Sequence, residues 1–437
     1  MKRRTEMRQT MKTGKKLTAW IVTVLMIAGL AGCGKEEAEP TETVTTYETF
    51  EQTVASVKTT TKAEDGSEVP VELNLWYTDA ADAPYLEAAA ADFHDRYGVQ
   101  VVCTCVDDMN YLETINQANV DGNGPDIFLA SNDEIRKLRL AGLTTENPLY
   151  TDTFWSEHYP EAAKQASTSE GKQYGYPIYM DTCMMIYDTA TTTQPESFES
   201  LADFAVNFVD ETNTKVIFRW DIADPFFDYL FLGNGAEILG EDGEDTDTFS
   251  INNDTVIQNM SYYQSLHEYF SIDVDNSSYD QVKAELTNGT LVYGIVKTDV
   301  LRDMGSYGSS YALCQVPALT GELSVQVPSI TYGAFVNAFT KQPEYANLLG
   351  AYLSYEYAEN QFGLSQKVAV RSDLNRTDGN ETAAYAQYQN STPTPKALEN
   401  GDFWIYTEIC FKNIWNGSDV TTELNELQTR MEERLQS

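Results

Sequence analysis

The stretch whose residue types and spacing most clearly suit chemistry runs from Gly122 to Leu149. Asp126-Ile-Phe-Leu-Ala follows a Gly-Pro break and is a short apolar run of the kind that forms a buried strand. Asn132 and Asp133 stand at its carboxyl end. Ile135 and Leu138 then recur at helical spacing, and Gly142 is placed to cap that helix. A strand, a polar turn and a helix put the Asp133 carboxylate where open α/β sheets bind ligands, outside the carboxyl ends of their strands. A carboxylate there accepts hydrogen bonds from hydroxyls or amines. The same position suits an N-cap that satisfies the first backbone N–H groups of the helix, and both roles fit one residue.

Other chemistries find little support. The three histidines, His94, His158 and His267, are scattered. None of the six cysteines forms a CxxC or other metal-type spacing. Cys103 and Cys105 lie two apart in an apolar strand and share a face, so a bridge between them would be strained. With Cys183, Cys314 and Cys410 they make five thiols that cannot all pair, and buried free thiols are the simplest reading. Glu241–Asp247 (EDGEDTD) lacks the twelve-residue ligand spacing of a calcium loop and reads as a solvated turn. No metal and no cofactor is expected.

Positioning Asp133 takes a framework of alternating strands and helices. Val71–Tyr77 alternates as a strand, Ala80–Tyr97 has helical apolar spacing, Val99–Val106 is a second strand and Asp108–Val120 a second helix. The Asp126 strand and its helix form the third unit. This alternation predicts a parallel sheet with helices on both faces. Further on, Ser197–Thr212 reads as a helix, Lys215–Trp220 as a strand, and Pro225 opens another helix. Thr255–Phe270 is amphipathic, with Tyr262, Tyr263 and Phe270 at core spacing, and an amphipathic helix runs to Leu435. Trp415 also sits at core spacing.

The order of these segments resembles the extracellular solute-binding proteins of ABC importers, in their sugar-binding branch, with the maltose and maltodextrin binders as the comparison. The resemblance covers roughly Val71 to Leu435. It implies an α/β, two-lobed periplasmic-binding-protein-like fold of type II with the ligand in the interlobe cleft. It places Asp133 on sugar hydroxyls and Trp76 at a strand end that faces the cleft or the core. Gly171–Asp188 is similar to the family's first crossover, which puts Tyr179 and Asp181 at the hinge facing the cleft; the alternative is that Tyr179 packs and Asp181 caps a turn. Asp221–Leu232 is similar to an acid-aromatic turn that meets the sugar, which gives Asp224 and Phe226, with Trp220 nearby. Tyr332 stands in the returning strand. Trp404, in Asp402-Phe-Trp-Ile-Tyr, matches a tryptophan that stacks on a pyranose ring. Two stacking tryptophans of the maltose binders are missing. Ala130 stands for one, and Lys297 and Asp299 occupy the turn of the other, which argues against the same ligand pose.

Residues 1–33 are not part of that fold. Seven Lys and Arg precede the apolar run Leu17–Leu30, which is short for a membrane span and fits a secretory signal. Leu30-Ala31-Gly32-Cys33 matches a bacterial lipobox, in which the peptidase cuts before Cys33 and the thiol is acylated. Met11 also opens a basic run and is a second candidate start. Gly34–Pro70 is polar and reads as a disordered tether. The expected organisation is a signal peptide at 1–32, acylated Cys33 and tether at 33–70, one lobe from 71–181 and 315–367, and another from 182–314 and 368–437.

The chain of 437 residues is 42% hydrophobic, enough for two cores. Beyond residue 32 it carries 22 basic and 66 acidic residues, a net charge of −44. Such a surface repels nucleic acid and disfavours anionic ligands. The 27 tyrosines suit polar ligand surfaces and ordinary half-buried packing alike. The sequence is therefore expected to encode a monomeric lipoprotein on the extracellular face of the cell membrane. It captures a mono- or oligosaccharide by lobe closure and passes it to ABC permease subunits. The rivals are the same fold binding a peptide, polyamine or other cation, a lipid-anchored glycosidase using paired carboxylates, and a purely structural surface lipoprotein.

Overall fold

The computed structural model describes residues 60–62, 68–211 and 214–436. The signal segment, Cys33 and most of the expected tether lie outside the described residues. The end of that tether is ordered: Thr60–Lys62 pairs antiparallel with Glu68–Pro70.

The first half of the chain builds strands β1 (Glu72–Tyr77), β2 (Gln100–Cys105) and β3 (Ile127–Ser131). Helices α1 (Ala83–Tyr97) and α2 (Tyr111–Asp121) connect them. The short helices α3 (Ile135–Leu140), α4 (Asp152–His158) and α5 (Glu161–Ala166) follow. The long strand β4 (Tyr176–Asp188) comes next, then α6 (Phe198–Asn207), β5 (Val216–Arg219) and α7 (Pro225–Asp228). Helices α8 (Asp254–Ser265) and α9 (Tyr279–Thr287) lead into β6 (Leu291–Lys297), β7 (Tyr311–Cys314) and β8 (Pro328–Val336). The remainder holds α10 (Pro343–Ala351), α11 (Gln361–Ser365), β9 (Val368–Ala369), α12 (Gly379–Gln389), β10 (Thr392–Pro393), α13 (Asn400–Trp415) and α14 (Val420–Leu435).

The main sheet runs β2-β1-β3-β8-β4-β6-β5, with β7 and β9 on β4 and β10 on β8. The parallel sheet read from the sequence holds for β2-β1-β3 and for β6-β5. It fails at β8 and β4, which pair antiparallel with each other, with β3 and with β6. The reason is chain routing: β4 and β8 are traversed in passing between lobes, not by helical crossovers, so nothing constrains them to run parallel.

Three apolar clusters cover the sheet. One (Ile115, Phe128, Ile135, Leu138, Leu143, Tyr174, Phe335) packs on one face of the first lobe. Another, rich in aromatics, lies on one face of the second and includes Trp220, Phe226, Phe231, Trp415 and Met431. The largest backs both lobes, from Val71 and Leu86 through Met180 to Leu286 and Val300. Burying both faces is why β4 and β6 read as almost unbroken apolar runs.

Local signals explain the helix starts near the cleft. Asp224 caps α7, its Oδ1 accepting from Phe226 N at 3.0 Å, with Pro225 at the first turn. Gly142 closes α3 at φ +66°, a conformation that favours glycine. The helix expected to reach Thr212 ends at Asn207, where Phe208 leaves the helical conformation. The five described cysteines are free thiols. Cys183, Cys314 and Cys410 are buried as expected, whereas Cys105 is exposed and Cys103 half-buried, because their side chains lie on the edge strand β2. The acidic run Glu241–Asp247 is not simply solvated. Its Gly243 is buried and its Glu244 carboxylate bonds to Ser169 and Glu170.

Candidate ligand-binding cleft

Where the lobes meet, β4 and β8 present two tyrosines. Tyr179 and Tyr332 are cross-strand partners and their rings stack, centroids 4.8 Å apart at 19°. Both line two adjoining cavities, of about 170 Å³ and about 440 Å³. Behind them lies a charged cluster. Lys367 Nζ donates to Asp79 Oδ2 at 2.7 Å, Asp82 Oδ1 at 2.6 Å and Tyr179 OH at 3.0 Å, and stands 4.1 Å from the Tyr179 ring centroid. Tyr179 OH donates to Asp82 Oδ2 at 2.9 Å. Burial raises the Asp82 carboxyl above the usual carboxylate range in spite of Lys367. Asp79, more exposed, is held below it, the Lys367 and Ala81 hydrogen bonds outweighing its own burial.

The smaller cavity also takes in Thr78, Asp181, Asp299 and Arg302. Asp181 Oδ1 accepts from Thr298 N at 2.9 Å and from the Thr298 hydroxyl, so it does cap a turn while lining the cleft. Burial raises its pKa against those bonds. The larger cavity extends over the first lobe to Tyr111, Glu113, Ser131 and Lys137. The Tyr111 hydroxyl is buried and finds no partner among the described residues.

A third cavity of about 380 Å³ draws walls from both lobes. Asp133, from the turn after β3, faces Asp224, Phe226, Lys297 and Trp404 of the second lobe. Its Oδ1 is buried and has no hydrogen-bond partner among the described residues. Trp404 on α13 is half-buried against Phe403, Tyr229 and Phe226, with ring centroids 5.1, 5.9 and 6.4 Å away. Lys297 Nζ lies 3.3 Å from Asp224 Oδ2 and 5.1, 5.2 and 5.7 Å from the Phe226, Phe227 and Tyr279 ring centroids. Burial opposes its charge, but Asp224 and Asp181 outweigh it and the pKa stands above the ordinary lysine value.

Of the residues read from the sequence, Asp133, Asp224, Phe226 and Trp404 meet in one cavity, and Tyr179, Asp181 and Tyr332 between them line the two tyrosine cavities. Two lie elsewhere. Trp220 is fully buried, its ring against Phe218, Phe231 and Trp415 and its Nε1 donating to Asp228 Oδ1 at 2.7 Å. It follows β5 directly, two residues after the buried Phe218, and that period-two pairing is the signal of a core residue. Trp76 packs beside the small first-lobe cluster, and Thr78 and Asp79, two and three residues on, reach the cleft instead. Asp79, Asp82, Arg302 and Lys367 escape sequence reading altogether.

The profile of the family described as bacterial extracellular solute-binding protein matches residues 77–354. The chain belongs to that family. It is a family of binding proteins, and its two-lobed fold is the one described above. A maltodextrin-binding protein of Bacillus subtilis is 24% identical over 353 residues, covering 77% of this chain and 84% of its own length. A maltooligosaccharide ABC transporter solute-binding lipoprotein of Streptococcus pneumoniae is 22% identical over 391 residues, covering 85% and 91%. Among solved structures, an extracellular solute-binding protein from Staphylococcus aureus in complex with maltose has a TM-score of 0.75 at 18% identity. That match covers 85% of this chain and 99% of the other. This solute-binding protein therefore shares its fold with that structure.

Proposed function

We propose that this solute-binding protein captures a carbohydrate between its lobes and delivers it unchanged to an ABC permease. The observation that carries the reading is the cavity shared by both lobes, which Asp133 of one lobe lines together with Phe226 and Trp404 of the other. Aromatic faces cover the C–H patches of a sugar ring, and a carboxylate accepts from its hydroxyls. Each charge-assisted hydrogen bond contributes about 1.5–3 kcal/mol, and stacking adds to it against the costs of association and closure. The names of the relatives support the same ligand class. Closure follows only from contacts that favour the closed state over the open one. In this reading the lobes are residues 71–181 with 315–367 and residues 182–314 with 368–437. Acylated Cys33 holds the monomeric protein on the extracellular face of the membrane, and it performs no chemistry on its ligand.

A cationic solute is the second reading. The rings of Phe226, Phe227 and Tyr279 already surround the Lys297 ammonium, and Asp133, Asp224 and Glu408 line the same space. Thermal-shift titrations of the protein with mono- and oligosaccharides, polyamines and peptides separate the two, because a ligand of the native state raises the melting temperature by mass action. A saccharide shift weakened about tenfold or more in concentration by Trp404→Ala supports the carbohydrate reading. A shift with a polyamine or peptide and none with saccharides sinks it.

A further inference from the structure

The acidic run Glu241–Asp247 interrupts a small hairpin of the second lobe. Glu237–Ile238 pairs with Phe249–Ser250, and Ile238, Leu239 and Phe249 are anchored in the second-lobe core. Its tip leaves that lobe and docks on the first. Glu244 uses both carboxylate oxygens there: Oε1 accepts from Ser169 Oγ at 2.7 Å and Oε2 from Glu170 N at 3.0 Å. Its backbone carbonyl accepts from Arg136 NH1 at 3.3 Å. Arg139 holds the receiving turn, Nε donating to Ser169 Oγ at 3.0 Å and NH2 to Glu170 Oε1 at 2.7 Å. Gln165 Nε2 reaches Glu241 Oε1 at 3.3 Å.

A second strand of chain rivets the same joint. Gly243 O accepts from Lys396 N at 2.8 Å and Ala397 N at 3.0 Å. A Cβ at Gly243 would stand 2.9 Å from Pro395 Cα, so only glycine allows this approach, and its φ is +66°. The Lys396 side chain is 1% exposed and its ammonium donates to Gln165 O at 2.6 Å on α5. Beside it, Asn132 Nδ2 donates to Thr394 O at 2.9 Å, next to the unpartnered Asp133.

We propose that Glu241–Glu244 is an interlobe clasp, with Glu244 the positioning residue that sets the spacing of the two walls of the Asp133–Trp404 cavity before any ligand arrives. Arg136 is one turn along from Asp133, so the clasp fixes the first-lobe wall against the chain that leads into α13 and Trp404. The clasp acts on affinity by restricting how far the lobes part, since a site that is already assembled loses less to conformational selection.

The test needs no ligand. Spin labels are attached through noncanonical residues replacing Val120 on α2 and Val206 on α6, which are 76% and 69% exposed on opposite lobes. Pulsed electron–electron resonance then reads the interlobe distance distribution. In the unaltered clasp one narrow population is expected. Glu244→Ala, and separately Ser169→Ala on the other lobe, should add a longer-distance population, the ratio of open to assembled forms rising about tenfold for each lost charge-assisted bond. The double variant should add little to Glu244→Ala, because both remove the same contact. Distance distributions in Ser169→Ala and Glu244→Ala identical to that of the parent overturn the proposal. Should Glu244→Ala not fold, Ser169→Ala, a small change in a residue of the receiving turn, decides it alone.

Discussion

Lys367 shows why a single residue can matter more to the cleft than its sequence context suggests. Its side chain is 13% exposed and that of Asp82 only 3%, and removing one member of a buried pair leaves the other charge without compensation. Lys367→Met is expected to destabilise the fold by about 3 kcal/mol at pH 8, read by urea unfolding. Asp82 then protonates more readily, so the gap to the parent should narrow at pH 5; an equal gap at both pH values would sink this account. Lys396 gives the opposite sign. Burial pushes its pKa down to about 8 from an ordinary 10.5. Between those values the unfolded chain holds a proton that the folded chain has released, so the parent gains stability as pH rises. Lys396→Met should lack that slope, the difference between pH 7 and pH 10 amounting to roughly 3 kcal/mol in urea unfolding. The residues that sequence reading brought into one cavity, Asp133, Asp224, Phe226 and Trp404, each carry a local signal: a strand end, a proline-started turn, a helix segment. Lys367 carries none, because its partner Asp82 is 285 positions away.

At the scale of elements, strand and helix existence was legible from apolar period, and boundaries less so. Direction was not. Whether β4 and β8 run with or against β3 depends on how the chain passes between lobes, which no local window contains. The tyrosine pair likewise exists only because register places Tyr332 opposite Tyr179. Helix α10 buttresses that same strand β4. A Cβ at Gly350 would stand 2.3 Å from Tyr176 Cδ2, and Tyr176 is locked by its hydroxyl donating to Asn347 Oδ1 at 2.7 Å. Gly350→Ala is therefore expected to cost about 1–3 kcal/mol by overpacking, despite raising helix propensity. A urea midpoint equal to that of the parent would show that α10 is free to move off the strand.

For the whole molecule, the decisive feature is that the largest apolar cluster backs both lobes and that β4 and β8 belong to one continuous sheet. Lobes with wholly separate cores melt separately; these have their largest cluster in common. Calorimetry should show a single transition with calorimetric and van't Hoff enthalpies in agreement, and two resolved transitions would contradict it. The exposed edge of that sheet has a practical side. Cys105 is the one exposed thiol among the described cysteines, and its Sγ lies 3.6 Å from the carbonyl of Thr78, a residue that lines both tyrosine cavities. Burial holds Cys103 near pKa 12 and raises Cys314 to the same level; burial and the neighbouring Asp107 raise Cys105 too, so its exposure is what sets it apart as the accessible thiol. A maleimide dye would attach beside the cleft mouth without mutagenesis, turning the native chain into a fluorescent reporter of its own ligand.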